Sequence, residues 1–419
     1  MKQFVSDKVH DQPIVDMVFE ASQGAQRAIS KDGAGKVVNG AFGAFFTDGG
    51  ELLTFDSVYR TFDAIPDVDK ARYAASISGA PEFKRGVKQW LFTDAGVELD
   101  AEVVATPGGT GALSSTVKNV LAPGEIVVHP DIGWGPYKTI ARQHQIGIEH
   151  YTLFDGQRFN LDSFQDTCRR VMKRQGKLLV FVNDPCQNPT GYTLEEDEWD
   201  RMLEILETIS SQGPVVLLLD IAYIDFTHLG MAYRRRFEKL KHLGENLLTV
   251  IAFSASKTMT AYGMRVGAQV IISNNEEGRR QFKNACENTC RGIWSTVNNG
   301  GMRAFGELSL DAELKAAYTE EKRIYLKLLK DRASRFTSEA DAVGLPIYPY
   351  KEGFFITLRI DDADIKNALY ERLMARNIFF VNVYGGLRIA ICSIPTEKLD
   401  GLARKVKETL EEIESEQQS

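Results

Sequence analysis

A chain of 419 residues exceeds the size at which a single hydrophobic core keeps growing, so two domains are expected. With 43% hydrophobic and 26% charged residues it reads as an ordinary globular protein, and a net charge of −7 argues against nucleic acid as a partner, since phosphate binding needs a basic face. No apolar run reaches membrane-span length, residues 1–13 hold no signal-peptide core, and five scattered cysteines suggest reduced thiols, so a soluble, unprocessed, cytoplasmic protein is expected.

In chain order, residues 13–29 carry an amphipathic pattern and predict a first helix. A glycine-rich passage follows. Gly35-Lys36 lacks the upstream glycine and the Ser/Thr of a phosphate loop, whereas Gly40 and Gly43 would let a ligand approach the backbone closely, and a plain tight turn fits them equally. Residues 73–79 read as a loop, and Pro81 opens a helix to about Phe92. From there short apolar runs at 102–106, 126–129, 148–153, 178–182, 215–219, 247–253 and 266–272 are mostly separated by helical segments at 110–121, 137–145, 161–174 and 194–210. Continuous apolar strands alternating with helices predict an α/β fold with a mostly parallel sheet buried on both faces. Beyond Ile272 the pattern turns helical (276–291, 295–308 and a long 311–340), then α+β, with strands at 354–360, 378–381 and 387–392 and helices at 363–376 and 396–413. The expected division is residues 1–50 joining a smaller C-terminal domain of residues 321–419, around a large domain of residues 51–320. Cys286 and Cys290 share a helix face without a nearby histidine and read as packing residues, so no metal site is expected.

Four stretches fall at the carboxyl ends of predicted strands, where open α/β sheets bind ligands. Thr106-Pro107-Gly108-Gly109-Thr110-Gly111 joins a strand to a helix and would expose amides and the positive dipole end to an anion; a tight strand–helix turn fits equally. It lacks the last glycine of the dinucleotide fingerprint, which disfavours a nicotinamide cofactor and a dehydrogenase. Asn183-Asp184-Pro185-Cys186-Gln187-Asn188-Pro189-Thr190-Gly191 forms a turn in which Asn188 could bond an aromatic hydroxyl. Asp220 ends a buried strand, ahead of Tyr223, and needs a partner such as a protonated heterocyclic nitrogen. Ser254-Ala255-Ser256-Lys257 with Arg265 downstream places a lysine between two strands, where a Schiff base to a carbonyl cofactor would neutralise it; an exposed loop lysine is the alternative.

Taken together in this order, Gly109-Thr110, Asn188-Pro189-Thr190-Gly191, Asp220-x-x-Tyr223 and Ser254-x-x-Lys257 with Arg265 resemble the fold-type I pyridoxal-phosphate enzymes. The likeness is greatest to class I aminotransferases of the aspartate and aromatic type, from about Asn39 to Arg388. The resemblance implies a large domain with a seven-stranded, mostly parallel sheet, pyridoxal 5'-phosphate as cofactor, and a homodimer with active sites at the subunit interface. It implies that Lys257 carries the cofactor as a Schiff base and shuttles the proton, that Asp220 pairs with the ring nitrogen, and that Asn188 and Tyr223 bond the ring oxygen. Gly109, Thr110, Ser254 and Arg265 would hold the phosphate, Trp134 would stack on the ring, and Arg388 and Gly43 would take the substrate carboxylate. Tyr73 and Arg291 resemble residues that reach across to the partner's phosphate and substrate side chain. The chain departs from the pattern at Tyr137, where many relatives place a histidine supporting the aspartate, and at Thr296-Val297-Asn298, which replaces Asn-Pro-Pro.

The implied reaction is a ping-pong transfer from an L-amino acid, aspartate or aromatic, to a 2-oxo acid such as 2-oxoglutarate. β-Elimination or decarboxylation on the same cofactor is the alternative. A ligand-sensing module on this fold would need an attached helix-turn-helix, and only about ten residues precede the first predicted helix.

Overall fold

Seven strands build the central sheet of the computed structural model, which describes residues 4–5, 13–14 and 16–417. In chain order they are β1 (Ala101–Thr106), β2 (Ile126–Pro130), β3 (Gly147–Tyr151), β4 (Leu178–Asn183), β5 (Val215–Asp220), β6 (Leu247–Ser254) and β7 (Gly267–Ile272). They lie side by side as β1-β7-β6-β5-β4-β2-β3. From β6 to β3 the neighbours are parallel, while β7 runs antiparallel to both β6 and β1.

Every residue of β4 and β5 is buried, because both faces are covered. Leu179, Phe181, Leu218 and Val250 join Leu113 and Val117 of the helix Gly108–Val120 in one core. Val180, Leu217, Leu219 and Ile251 join Trp199, Met202 and Leu206 of the helix Glu196–Ser210 in the other. Each such side chain contributes about 1.5–3 kcal/mol when fully buried, which is why these strands read as unbroken apolar runs. The helix Glu196–Ser210 starts two residues later than its periodicity suggests, where Glu195 and Glu198 form a reciprocal capping box.

A smaller antiparallel sheet, β8 (Phe355–Arg359), β9 (Val381–Val383) and β10 (Gly386–Ala390), is ordered β8-β10-β9. The single strand expected over 378–381 is corrected to two. Ile378–Phe379 pairs in parallel with Val38–Asn39, and after Phe380 the chain crosses to β10. The N-terminal helix supplies the reason: Phe379 packs with Ala25 and Val37, Val381 with Ala21 and Ala41, so the segment serves two sheets. Other limits shift with their caps. The first helix is Met17–Asp32 instead of 13–29, since the Asp16 carboxylate accepts from the amides of Val18 and Phe19. Helix 295–308 becomes Asn299–Leu310, capped by Asn298, and the last helix is Leu402–Gln417, set off by Gly401 at φ +78°. Helices Asp56–Ala64 and Met231–Arg235 are additional to those expected.

The long helix Ala312–Ala342, capped by Asp311, packs against Asp56–Ala64, Asn299–Leu310 and Leu402–Gln417. Among the described residues no helix is long and apolar enough to cross a membrane, and no cluster of His, Cys, Asp or Glu could hold a metal. All five cysteines are free and buried. The reading of residues 1–13 falls largely outside the described residues.

Candidate active site

The sheet order brings strand ends that are distant in sequence to one edge. Asn183 on β4 pairs with Asp220 on β5, and Gly267, at the start of β7, pairs with both Ser254 on β6 and Thr106 on β1. Above them lies a cavity of about 200 Å³ lined by Gly109, Thr110, Trp134, Asn183, Asn188, Asp220, Tyr223, Ser254, Ser256, Lys257 and Arg265 among others. The strand-end residues singled out in the sequence therefore meet around one space.

One wall is cationic and rich in backbone amides. Gly108, at φ +71°, opens the helix Gly108–Val120, and the hydroxyl of Thr106 donates to its carbonyl at 3.0 Å. A Cβ on Gly108 would lie 2.5 Å from Nη2 of Arg265, so only glycine lets the turn close against the guanidinium. Arg265 is itself left-handed, at φ +54°, and its Nη1 donates to the Ser256 hydroxyl at 2.9 Å and the Tyr262 carbonyl at 3.0 Å. No carboxylate pairs with it among the described residues. Helix N-terminal amides beside a guanidinium with no carboxylate partner are an arrangement suited to an anion.

The opposite end is acidic. Asp220 is buried, with Oδ2 accepting from the Tyr137 hydroxyl at 2.7 Å and Oδ1 from the Ala222 amide at 3.1 Å. Burial raises its pKa, opposed by those two bonds and by Lys257. Asn183 is the hub of this wall: its amide donates to the Asp220 carbonyl at 2.8 Å, and its Oδ1 accepts from the Asn188 backbone at 2.7 Å. That role was not legible in the sequence, where any polar residue can end a strand. Ser256 and Ala222 are further lining residues beyond those expected. Trp134 lines the cavity and stands edge-on to Tyr137, ring centroids 5.5 Å apart.

Lys257 projects from the short helical turn Ala255–Thr258. This turn is fixed from below, since Thr258 donates to Asp225 at 2.8 Å and Tyr318 donates to the Thr258 carbonyl at 2.7 Å. Asp225 is in turn paired with Arg234 and Lys322, which hold its carboxyl below the usual range despite burial. Lys257 Nζ donates to the Gly43 carbonyl at 2.9 Å and lies 4.6 Å from the Tyr262 ring centroid. Burial lowers its pKa to about 8; Arg388 and Arg265 act in the same direction and Asp220 against it. Gly43 thus meets the lysine through its carbonyl. Its neighbourhood is tied down by the Phe45 amide, which donates to the Tyr262 hydroxyl at 2.9 Å.

Arg388, on β10, reaches the cavity's edge. Its Nη1 lies 3.4 Å from Asn188 Oδ1, its Nη2 donates to the Ala41 carbonyl at 2.8 Å, and its guanidinium lies over Phe355 at 4.4 Å. Its Nε is buried without a partner. Tyr73 and Arg291 are not part of this cavity: Tyr73 is 81% exposed, and Arg291 is exposed with Nη1 donating to Ser295 at 2.7 Å.

Residues 42–406 match the family described as "Aminotransferase class I and II". The chain is similar to an aromatic-amino-acid aminotransferase of Pseudomonas aeruginosa, 28% identical over 54% of this chain and 55% of that one, so this match spans about half the relative's length. An aspartate aminotransferase of the same organism is 24% identical over 71% of this chain and 74% of its own. Among solved structures, an aminotransferase from Anaerococcus prevotii superposes with a TM-score of 0.93 at 30% identity, covering 97% of this chain and 99% of that one. An aromatic-amino-acid aminotransferase from Burkholderia pseudomallei, covalently bound to pyridoxal phosphate, gives a TM-score of 0.77 at 20% identity over 98% and 100%, a likeness of fold.

Proposed function

The chain belongs to the class I and II aminotransferase family, whose members depend on pyridoxal phosphate, and from that premise we propose that it moves an amino group from an L-amino acid to a 2-oxo acid. The observation that carries the reading is the meeting of Lys257, Asp220, Asn188, Tyr223, Ser254 and Arg265 around one cavity.

The residues fit pyridoxal 5'-phosphate. The Gly108-Gly109 turn and Arg265 suit its phosphate, and the buried Asp220 suits a protonated ring nitrogen, which would supply the charge that burial otherwise denies it. The unpartnered Nε of Arg388 leaves a donor for an incoming carboxylate. When bound, the cofactor supplies an electron sink for charge that develops at the amino acid's Cα.

In this reading Lys257 Nζ is both the attachment point and the group that moves the proton at Cα. A pKa of about 8 keeps a useful fraction of that amine unprotonated near neutral pH. Asn188, Tyr223 and Trp134 line the same cavity, and with the cofactor bound Asn188 and Tyr223 would hold its ring hydroxyl and Trp134 would pack on the ring. Transfer is ping-pong, with an aspartate or aromatic donor and 2-oxoglutarate as acceptor. The exposure of Tyr73 and Arg291 supports a homodimer in which each serves the neighbouring site. The division into a large domain of residues 51–320 and a small one of 1–50 with 321–419, and a cytoplasmic address, belong to the same proposal.

The test is addition of pyridoxal phosphate to purified protein and to Lys257→Ala. We expect a visible absorption band and amino transfer in the first and neither in the second. Unimpaired transfer by Lys257→Ala refutes the reading. Ammonia released from the amino acid with no acceptor present would assign elimination instead.

A further inference from the structure

We propose that Tyr137 is the positioning residue for Asp220: a buried hydroxyl donor, fixed in place by packed rings, that holds the carboxylate for the cofactor's ring nitrogen. The inference rests on the proposed function and deepens it at one atom pair.

Tyr137 sits in the helix Pro136–Gln143 and is 1% exposed. Its hydroxyl meets Asp220 Oδ2 at 2.7 Å and has no other partner among the described residues. The ring is boxed by Trp134, Phe181 and His129, with centroids 5.5, 5.1 and 5.9 Å away, so it cannot swing to another acceptor. A phenol fixed in this way only donates, and the carboxylate it holds keeps its other oxygen on the Ala222 amide.

The side chains that bond or pack on this pair carry no ion pair to it among the described residues. Asn183 contributes a neutral amide to the Asp220 carbonyl, and burial together with Asp220 pushes the Tyr137 hydroxyl well above its ordinary value. Tyr223, on the cavity side, and Tyr151, behind, are pushed up by burial as well. His129 on β2, packed on Tyr137, is lowered to about 4 by burial, and its Nδ1 bonds the Pro130 carbonyl while Nε2 has no partner. His150 on β3, 4.5 Å from His129 between ring centroids, is also lowered by burial, with Lys138 acting on both histidines in the same direction. Two further groups near the pair are shifted by burial: Lys257, across the cavity, is lowered to about 8, and Asp184, whose backbone amide donates to the Asp220 carbonyl at 3.1 Å, is raised to about 7. A histidine bonded to Asp220 in place of Tyr137 would change charge near neutrality and carry the carboxylate's basicity with it.

The test compares wild type with Tyr137→Phe and Tyr137→His. Pyridoxal phosphate affinity is read by absorbance titration from about pH 5.5 to 9, and kcat and KM are followed over the same range. Loss of a hydrogen bond to a buried carboxylate should weaken cofactor affinity by about tenfold to a hundredfold in Tyr137→Phe at every pH. We expect its kcat to fall with little change in the KM for the amino donor. Tyr137→His should recover affinity above the histidine range, and its affinity relative to wild type should fall as pH falls through that range, because a cationic imidazole lowers the carboxylate's basicity toward the protonated ring nitrogen. A Tyr137→Phe protein with wild-type cofactor affinity and kcat overturns the inference, even if its melting temperature drops. If Tyr137→Phe does not fold, Tyr137→His decides alone, and an affinity ratio to wild type that is flat with pH is the overturning result. Wild type that gives no absorption band and no transfer would overturn the proposed function as well, which separates the two failures.

Discussion

Lys257 is the group whose behaviour without cofactor the structure predicts most sharply. Its Nζ has a carbonyl at 2.9 Å and an aromatic ring at 4.6 Å but no carboxylate within ion-pair distance among the described residues. Burial therefore prevails, and its pKa falls from 10.5 to about 8. At pH 7 an amine with that pKa is about 10% unprotonated, against ~0.03% for an ordinary lysine, a ratio of ~300. Cofactor-free protein should be treated with a limiting small amine reagent such as cyanate at a series of pH values, and each lysine followed by peptide mass spectrometry. Lys257 labelling should inflect near pH 8, well below the class of exposed lysines, and added pyridoxal phosphate should suppress it selectively. Labelling that rises only above about pH 10, or no faster than that of exposed lysines, refutes the reasoning. The same shift has a stability consequence. Between pH 8 and 10.5 the unfolded chain binds more protons than the folded one, so stability gains with pH across that window. The cost of burying the ammonium is complete below the folded value and disappears above the unfolded one.

Three further outcomes follow from the geometry. Gly267→Ala would place a Cβ 2.5 Å from the Gly108 carbonyl carbon and 2.6 Å from the Phe253 carbonyl oxygen. Both are backbone atoms that cannot swing aside, so we expect a loss of roughly 2–3 kcal/mol in a melting or denaturant curve and weaker cofactor affinity as the Gly108-Gly109 turn is displaced; an unchanged affinity would detach that turn from the cofactor. Glu352→Ala removes a buried acceptor of Thr193, at 2.6 Å, and of Thr227 and the His228 amide, both at 2.7 Å. Unpairing those donors should cost about 2–4 kcal/mol, read as a melting temperature several degrees lower, and a melt like wild type would contradict the assigned bonds. Arg291→Ala, assayed with a panel of donors against a fixed acceptor, should lose activity with dicarboxylic donors and keep it with aromatic ones; equal loss across the panel would make Arg291 structural.

The strands of the sheet, and the polar residues that end them, were legible in the amino-acid sequence. A strand covered on both faces must be apolar throughout, so the first polar residue after it marks its end, and Asn183, Asp220 and Ser254 each occupy such an end. The stretch from Ser254 held Lys257 and Arg265 eight residues apart, and Gly108-Gly109 stood at the start of a helix, so their approach to one cavity follows from short-range spacing. These are local constraints, carried by residues near one another in the chain. Other contacts join partners 83, 214 and 347 residues apart, which no local pattern reveals: Tyr137 with Asp220, Lys257 with the Gly43 carbonyl, and Arg388 with the Ala41 carbonyl. The antiparallel insertion of β7 between β6 and β1, and the division of 378–383 between two sheets, are of the same kind. An apolar run states that a strand is buried, but the strand beside it is chosen by the packing of the whole chain. For that reason Tyr137 appeared in the sequence as the loss of a histidine, and in the fold as a hydroxyl 2.7 Å from the carboxylate it supports.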